Sequence, residues 1–388
     1  MRAWAEINLD IIENNMRQIR SATSPDAQVM AIIKADAYGH GFCEIASTLS
    51  KAGADQFGVA TADEAIQLRN AGFDLPILIL GAVCNEDISK LIKNNIMLAV
   101  FNYTTAKTIS DSAVELGINA KIHIKLDTGM SRIGYMCNDD ANINNTVNEI
   151  ADICKLPNLE IVGIFSHLAK ADETDANYTH MQYRRFENTI SRLEEINIHI
   201  PVKHICNSAG ILQYPEYHMD MVRSGIILYG LEPSNSVDIR KANLKPAMQL
   251  KSVVTNIKTV NSDTPVSYGG KHIAKNGSRI ATVSIGYADG FSRVLSNKAQ
   301  VIINGKIANI IGNICMDQLM VDASEIDDIK IGDEVILFGS DGNNIITVES
   351  VADLMGTINY EIVCAISKRV PRVYIRNGKT VNVLNYLA

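Results

Sequence analysis

The sequence predicts an α/β protein in two parts, an N-terminal (β/α)8 barrel of the TIM type over residues 1–235 and a C-terminal β-rich domain over 236–388. Three observations predict it. Eight short apolar runs alternate with helical patterns across the first part. Each strand-to-strand return through a helix requires a parallel arrangement, and eight units of this size suit a closed barrel better than an open doubly wound sheet. After Glu232-Pro233-Ser234 the pattern changes to strands joined by polar or glycine turns, with few helices between them.

Taken in order, Ile12, Met16 and Ile19 repeat at i, i+4, i+7, so residues 10–20 read as an amphipathic helix. The first barrel strand is VMAII, β-branched and continuously apolar as a strand buried on both faces should be. QFGVA (56–60), PILIL (76–80), IMLAV (96–100) and KIHIKLD (121–127) follow. IVGIFSH (161–167), VKHICNS (202–208) and MVRSGIILYG (221–230) complete the set. Among the helices between them, one starts at Thr61 with Glu64 three residues on, a capping box. Another spans 178–197. In the second part VVTNIKTV, SRIATVSIG, QVIING, KIANIIG, LMVDAS and DEVILFG read as strands. ITVESVADLMG and NYEIVCAISKRV read as helices, and RVYIRNGKTVNVL reads as a hairpin turning on Asn377-Gly378.

Bulk properties narrow the function. A hydrophobic share of 47% and a charged share of 20% are those of an ordinary globular enzyme. The net charge of −7 argues against a nucleic-acid partner while leaving room for a local basic pocket. Seven cysteines, an odd number with no CxxC pair, read as reduced thiols. No run approaches the roughly 18 apolar residues of a membrane span, and the acidic N-terminus has no signal-peptide core. A cytoplasmic protein with no membrane partner is expected. No Walker, HExxH or paired-cysteine zinc pattern is present, so no metal is expected.

Barrels of this kind place their chemistry where strands end. Lys34 ends the first strand, Lys125 and Asp127 the fifth, and His167 the sixth. Asn207 and Ser208 end the seventh, while Arg223, Ser224 and Gly225 lie on the eighth. A lysine at the exit of a buried strand is partly desolvated, which favours its neutral, nucleophilic amine. The plain alternative is a lysine that snorkels to solvent. The loops after strands seven and eight suit a phosphate, with a hydroxyl from Ser208 and accessible amides at Gly225.

These stretches carry a resemblance. KADAYGHG is similar to the cofactor-lysine motif of alanine racemases, and the likeness recurs across nearly the whole chain. It implies that Lys34 binds pyridoxal 5'-phosphate as an internal Schiff base, with Tyr38, His167, Asn207, Ser208, Arg223, Gly225, Ile226 and Tyr360 around the cofactor. It further implies that Arg132, in KLDTGMSRIG, holds the substrate carboxylate, and that Lys125 is carbamylated so as to orient it. A simple strand lysine paired with Asp127 is the alternative. Arg223 would face the pyridine nitrogen, and a guanidinium has no full proton to give it. Tyr268, in PVSYGG, would be the second acid/base, activated by His167 and Arg223. Tyr287, Met316 and Asp317 would shape substrate access and binding. Asn313 departs from the family, which commonly has arginine there, with an effect expected on the pocket surroundings alone.

The function so implied is the interconversion of L- and D-alanine by a two-base mechanism on the cofactor aldimine, supplying D-alanine as a peptidoglycan precursor. A homodimer with shared active sites is expected. The rivals are a racemase of another small amino acid, such as serine, and a non-catalytic pyridoxal-phosphate-binding regulator.

Overall fold

The computed structural model describes residues 1–388 and divides the chain into two compact units. One comprises Ile12–Ala37 and Phe42–Lys245, the other Met1–Ile11, Tyr38–Gly41 and Pro246–Ala388. This differs from a cut at residue 235. The first residues belong with the β-rich unit because strand Ala3–Asn8 pairs antiparallel with Met248–Thr259 and parallel with Arg372–Arg376. Its burial alternates strictly, with Ala3, Ala5 and Ile7 turned inward.

In the barrel unit, strands Gln28–Ile32, Gln56–Val59, Ile77–Ile79, Ile96–Val100, Ala120–Asp127, Leu159–Phe165 and Val202–His204 pair in parallel in that order. The eighth, Met221–Ser224, pairs in parallel with the first. The seventh and eighth meet through Asp220 N–H to Lys203 C=O (3.1 Å) and Arg223 N–H to Cys206 C=O (3.0 Å), which closes the ring. Helix Leu9–Ala22 buries Ile12, Met16 and Ile19 completely. Helix Ala62–Asn70 opens on the Thr61–Glu64 capping box, and Asn177–Glu195 fills the long helical stretch.

Four strand ends differ from the expectation. The sixth strand stops at Phe165 and the seventh at His204, so His167, Asn207 and Ser208 lie in the loops beyond their strands. The eighth strand stops at Ser224, and Ile226–Tyr229 forms a buried 3-10 turn. The first stops at Ile32, so Lys34 lies two residues beyond it and opens a left-handed turn. Ala35, Asp36, Ala37 and Tyr38 all have φ between 51 and 54°. Such backbone is unfavourable for residues with a Cβ and persists only where its surroundings fix it. Here Glu64 accepts Ala35 N–H at 2.6 Å, and Asp36 accepts Phe42 N–H at 2.9 Å.

The β-rich unit contains the strands expected from VVTNIKTV to DEVILFG, with helices Val348–Met355 and Asn359–Cys364. The closing hairpin turns on Asn377 (φ 51°) and Gly378 (φ 68°), both left-handed as a tight hairpin turn requires.

Candidate active site

In the barrel unit the centre of the site is Arg223, 3% exposed. One terminal nitrogen donates to Nδ1 of His204 at 2.9 Å. The other donates to Ser166 C=O (2.7 Å), Ile205 C=O (3.0 Å) and Nδ1 of His167 (3.2 Å). None of these contacts uses Nε, and every acceptor is neutral. Burial lowers its pKa to about 10, which leaves it charged at neutral pH.

The acceptors fix the histidine tautomers. Nδ1 of His167 accepts from Arg223, so a neutral His167 carries its proton on Nε2. His204 likewise carries its proton on Nε2 and donates it to Nδ1 of His123 at 3.0 Å. Desolvation first, then the Arg223 cation, depresses all three imidazoles, His123 to about 3 and the others well below their ordinary value. His123 and His204 were not singled out from sequence. The signal was present, because His123 precedes Lys125 by two residues on one strand and so shares its inward face.

Lys125 is 5% exposed, with Nζ 3.2 Å from Leu126 C=O and 4.8 Å from the centroid of the Phe165 ring. Burial, Arg223 and Arg132 push its pKa well below that of an ordinary lysine. Asp127 is committed elsewhere, accepting the amides of Gly129, Met130 and Ser131 at 2.9–3.0 Å. That cradle shapes the turn leading to the exposed Arg132. Asn207 caps the short helix Ser208–Gln213 by accepting Gly210 N–H (3.0 Å) and donates to Leu168 C=O (3.1 Å). The hydroxyl oxygen of Ser208 accepts Gly225 N–H at 3.0 Å, so its own proton is left to donate.

In the β-rich unit Tyr38 is buried, its ring centroid 6.1 Å from that of the half-buried Tyr360. Burial raises the Tyr38 phenol. The loop after Tyr38 is anchored by Arg372, whose Nε donates to Gly39 C=O at 2.9 Å, and by Tyr374, whose hydroxyl donates to His40 C=O at 3.0 Å. Tyr268, Tyr287 and Met316 are 71, 42 and 52% exposed. The turn bearing Tyr287 is tied to the Cys315–Met316 loop through Tyr287 N–H to Cys315 C=O and Ala288 N–H to Met316 C=O. Asp317 pairs with Arg369 at 2.7 Å. No group of histidine, cysteine and carboxylate side chains in the structure could hold a metal ion.

Residues 7–233 match the alanine racemase N-terminal domain and residues 247–374 the alanine racemase C-terminal domain. An alanine racemase of Clostridium perfringens is 48% identical over 384 residues, 99% of this chain and 98% of its own. The structure of alanine racemase from Clostridium difficile 630 superposes with a TM-score of 0.94 at 43% identity, covering 100% of this chain and 99% of that one. That of alanine racemase from Bacillus anthracis with bound L-Ala-P gives 0.90 at 38% identity, covering 100% and 98%. With both domains matched in order and relatives this similar along the full length, the chain belongs to the alanine racemase family.

Proposed function

We propose that the protein interconverts L- and D-alanine with pyridoxal 5'-phosphate carried on Lys34, and that two chains pair so that Tyr268 of one serves the barrel of the other. The barrel-mouth residues suit that cofactor. Arg223 is a buried cation whose hydrogen-bond partners are all neutral, which leaves a positive field for an anionic ligand. Ser208 keeps a hydroxyl proton to donate, and the amide of Ile226 opens a 3-10 turn, where helix amides lack partners within the turn. The cofactor, when bound, supplies an electron sink that acidifies the substrate Cα proton.

The chain's own residues would do the rest. Lys34 exchanges a proton on one face of Cα and the phenol of Tyr268 on the other, and racemisation needs no third base. Arg223 would face the ring nitrogen as a hydrogen-bond donor that does not surrender a proton. His167 presents its Nε2 proton, a donor able to stabilise a phenolate at Tyr268. Lys125 is suited to carbamylation, because its environment favours the neutral amine that attacks carbon dioxide. The resulting anion would sit among Arg223 and Arg132 and orient Arg132 toward the substrate carboxylate. Tyr360 and Met316 would limit room for the side chain, which favours alanine over serine. No helix is long and apolar enough to cross a membrane, which accords with a role in supplying D-alanine in the cytoplasm.

The neutral surroundings of Arg223 carry this reading. Borohydride reduction of the purified holoenzyme with peptide mapping, and a D-amino acid assay across small L-amino acids, test it. Label on Lys34 and fastest turnover of alanine are expected. Label on another lysine, or faster turnover of serine, would overturn the corresponding part.

A further inference from the structure

We infer that Asn313 is a positioning residue for Tyr268, fixing the phenol through the backbone of its loop; this rests on reading Tyr268 as the second acid/base. Tyr268 is 71% exposed, so side-chain packing within its own unit does little to set the direction of its ring. Its backbone must do so. Tyr268 sits at the tip of a hairpin formed by Thr264–Val266 and His272–Ala274. The hairpin base is held by a small core of Val260, Val266, Ala274, Ile280 and Ile311.

At the tip the backbone is unusual. Ser267 has φ 63° and ψ −173°, a region that residues other than glycine rarely occupy. Gly269 follows at φ 73° and Gly270 at φ 53°. A serine stays in such a conformation only if its neighbours impose it. The neighbour is Asn313, 7% exposed. Its carbonyl accepts the Ser267 hydroxyl at 2.6 Å, and its side-chain amide donates to Tyr268 C=O at 2.6 Å. One residue therefore holds the Ser267 side chain through its carbonyl and the Tyr268 carbonyl through its side chain.

Asn313 is itself held firmly. Gly312 N–H donates to Asn297 at 2.7 Å, Ile314 N–H to Ser296 at 2.9 Å, and Cys315 N–H to Gln318 C=O at 2.9 Å. Gly312 has φ +73°, and a Cβ there would lie 2.8 Å from Val266 C=O and 2.9 Å from Ser267 Cβ, so the two loops are in direct contact. The position where the family commonly has arginine thus acts on Tyr268 here, and more than the pocket surroundings depends on it.

The test compares the holoenzyme with Tyr268→Phe, Asn313→Asp, Ser267→Ala and Ser267→Gly. Solvent-deuterium incorporation is measured from each enantiomer, and amide exchange across residues 264–274. Tyr268→Phe identifies the enantiomer whose proton Tyr268 handles. Asn313→Asp keeps the shape but loses the donor. It should slow that side by up to about 100-fold, the scale of a 1 Å misplacement, while sparing exchange on the Lys34 side. Amides 264–274 should exchange faster. Ser267→Gly should be more active than Ser267→Ala, because glycine adopts the required backbone freely and alanine does not. Equal loss on both sides in Asn313→Asp, parental behaviour, or the reverse order of the Ser267 pair would overturn the inference. If Asn313→Asp does not fold, Asn313→Ala, which removes the same donor without adding a charge, takes its place, with the same one-sided loss expected and equal loss overturning the inference. Symmetric loss in Tyr268→Phe would instead remove Tyr268 as an acid/base, and the inference with it.

Discussion

Replacing His123 with asparagine should make the protein less sensitive to acid. His123 is 1% exposed, and its Nδ1 accepts the Nε2 proton of His204, whose own Nδ1 is occupied by Arg223. A second proton on His123 would have to enter at Nδ1, where it would meet the His204 N–H head-on. Burial and Arg223 accordingly hold the His123 pKa at about 3. The unfolded chain binds that proton near the ordinary histidine value of about 6.5. Because the folded pKa is the lower one, the stabilisation is complete above about pH 6.5 and is lost as pH falls toward about 3. Integrated from about pH 8 to about pH 5, one such histidine contributes a loss of about 2 kcal/mol. Asparagine keeps an acceptor for His204 but does not titrate. Urea unfolding followed by far-UV circular dichroism at both pH values measures the difference. The parent should lose about 2 kcal/mol more than the variant. Parallel losses would refute the argument that His123 is held neutral.

Three further outcomes are expected. In Gly163→Ala the new Cβ would lie 2.2 Å from Nδ1 of His123, so the ring must move and its bond to His204 breaks; thermal melting should show a destabilisation of about 1–3 kcal/mol. Arg223→Glu places a group that can protonate the ring nitrogen, so transamination measured against racemisation should rise; an unchanged ratio would mean that Arg223 does not face that nitrogen. Lys34→Ala and Tyr268→Ala chains, unfolded and refolded together with cofactor, should regain roughly a quarter of the parental sites if sites are shared between chains. A mixture that stays inactive, with mixed dimers shown to be present, would rule out sharing.

Much of this was legible because buried parallel strands announce themselves as continuous apolar runs, and five of the eight were followed by polar residues at the same mouth of the barrel. What escaped did so for specific reasons. AWAEIN alternates as a strand should, but its inward residues include two alanines, a weak signal, and its partners lie far away in sequence. An apolar run such as IILY reads alike as strand and as buried 3-10 turn. Nothing in ADAY marks a left-handed turn, since only tertiary partners such as Glu64 make it tolerable. The role of Asn313 depends on a hydrogen bond across 45 residues, which local pattern does not reveal.

In the proposed reaction the barrel mouth and the Tyr268 loop would meet complementary demands. Racemisation requires a carbanion stable enough to form and brief enough to be reprotonated at Cα. A buried carboxylic acid beside the ring nitrogen would stabilise it further by giving up a proton. Arg223 gives up none, and even lowered to about 10 it remains a hydrogen-bond donor alone at neutral pH. Ser166, Ile205, His167 and His204 hold it in place without neutralising it. In the proposed mechanism a short-lived carbanion would leave the opposing acid little time to find it, so that acid would have to be in position beforehand. The Tyr268 ring is 71% exposed, and on the inference above the strained backbone held by Asn313 would provide that position instead. If Arg223 keeps the electron sink weak as proposed, the precision of the loop would matter more. Loosening the loop should therefore harm the rate more in the parent than in Arg223→Glu, where a longer-lived carbanion can wait for the proton.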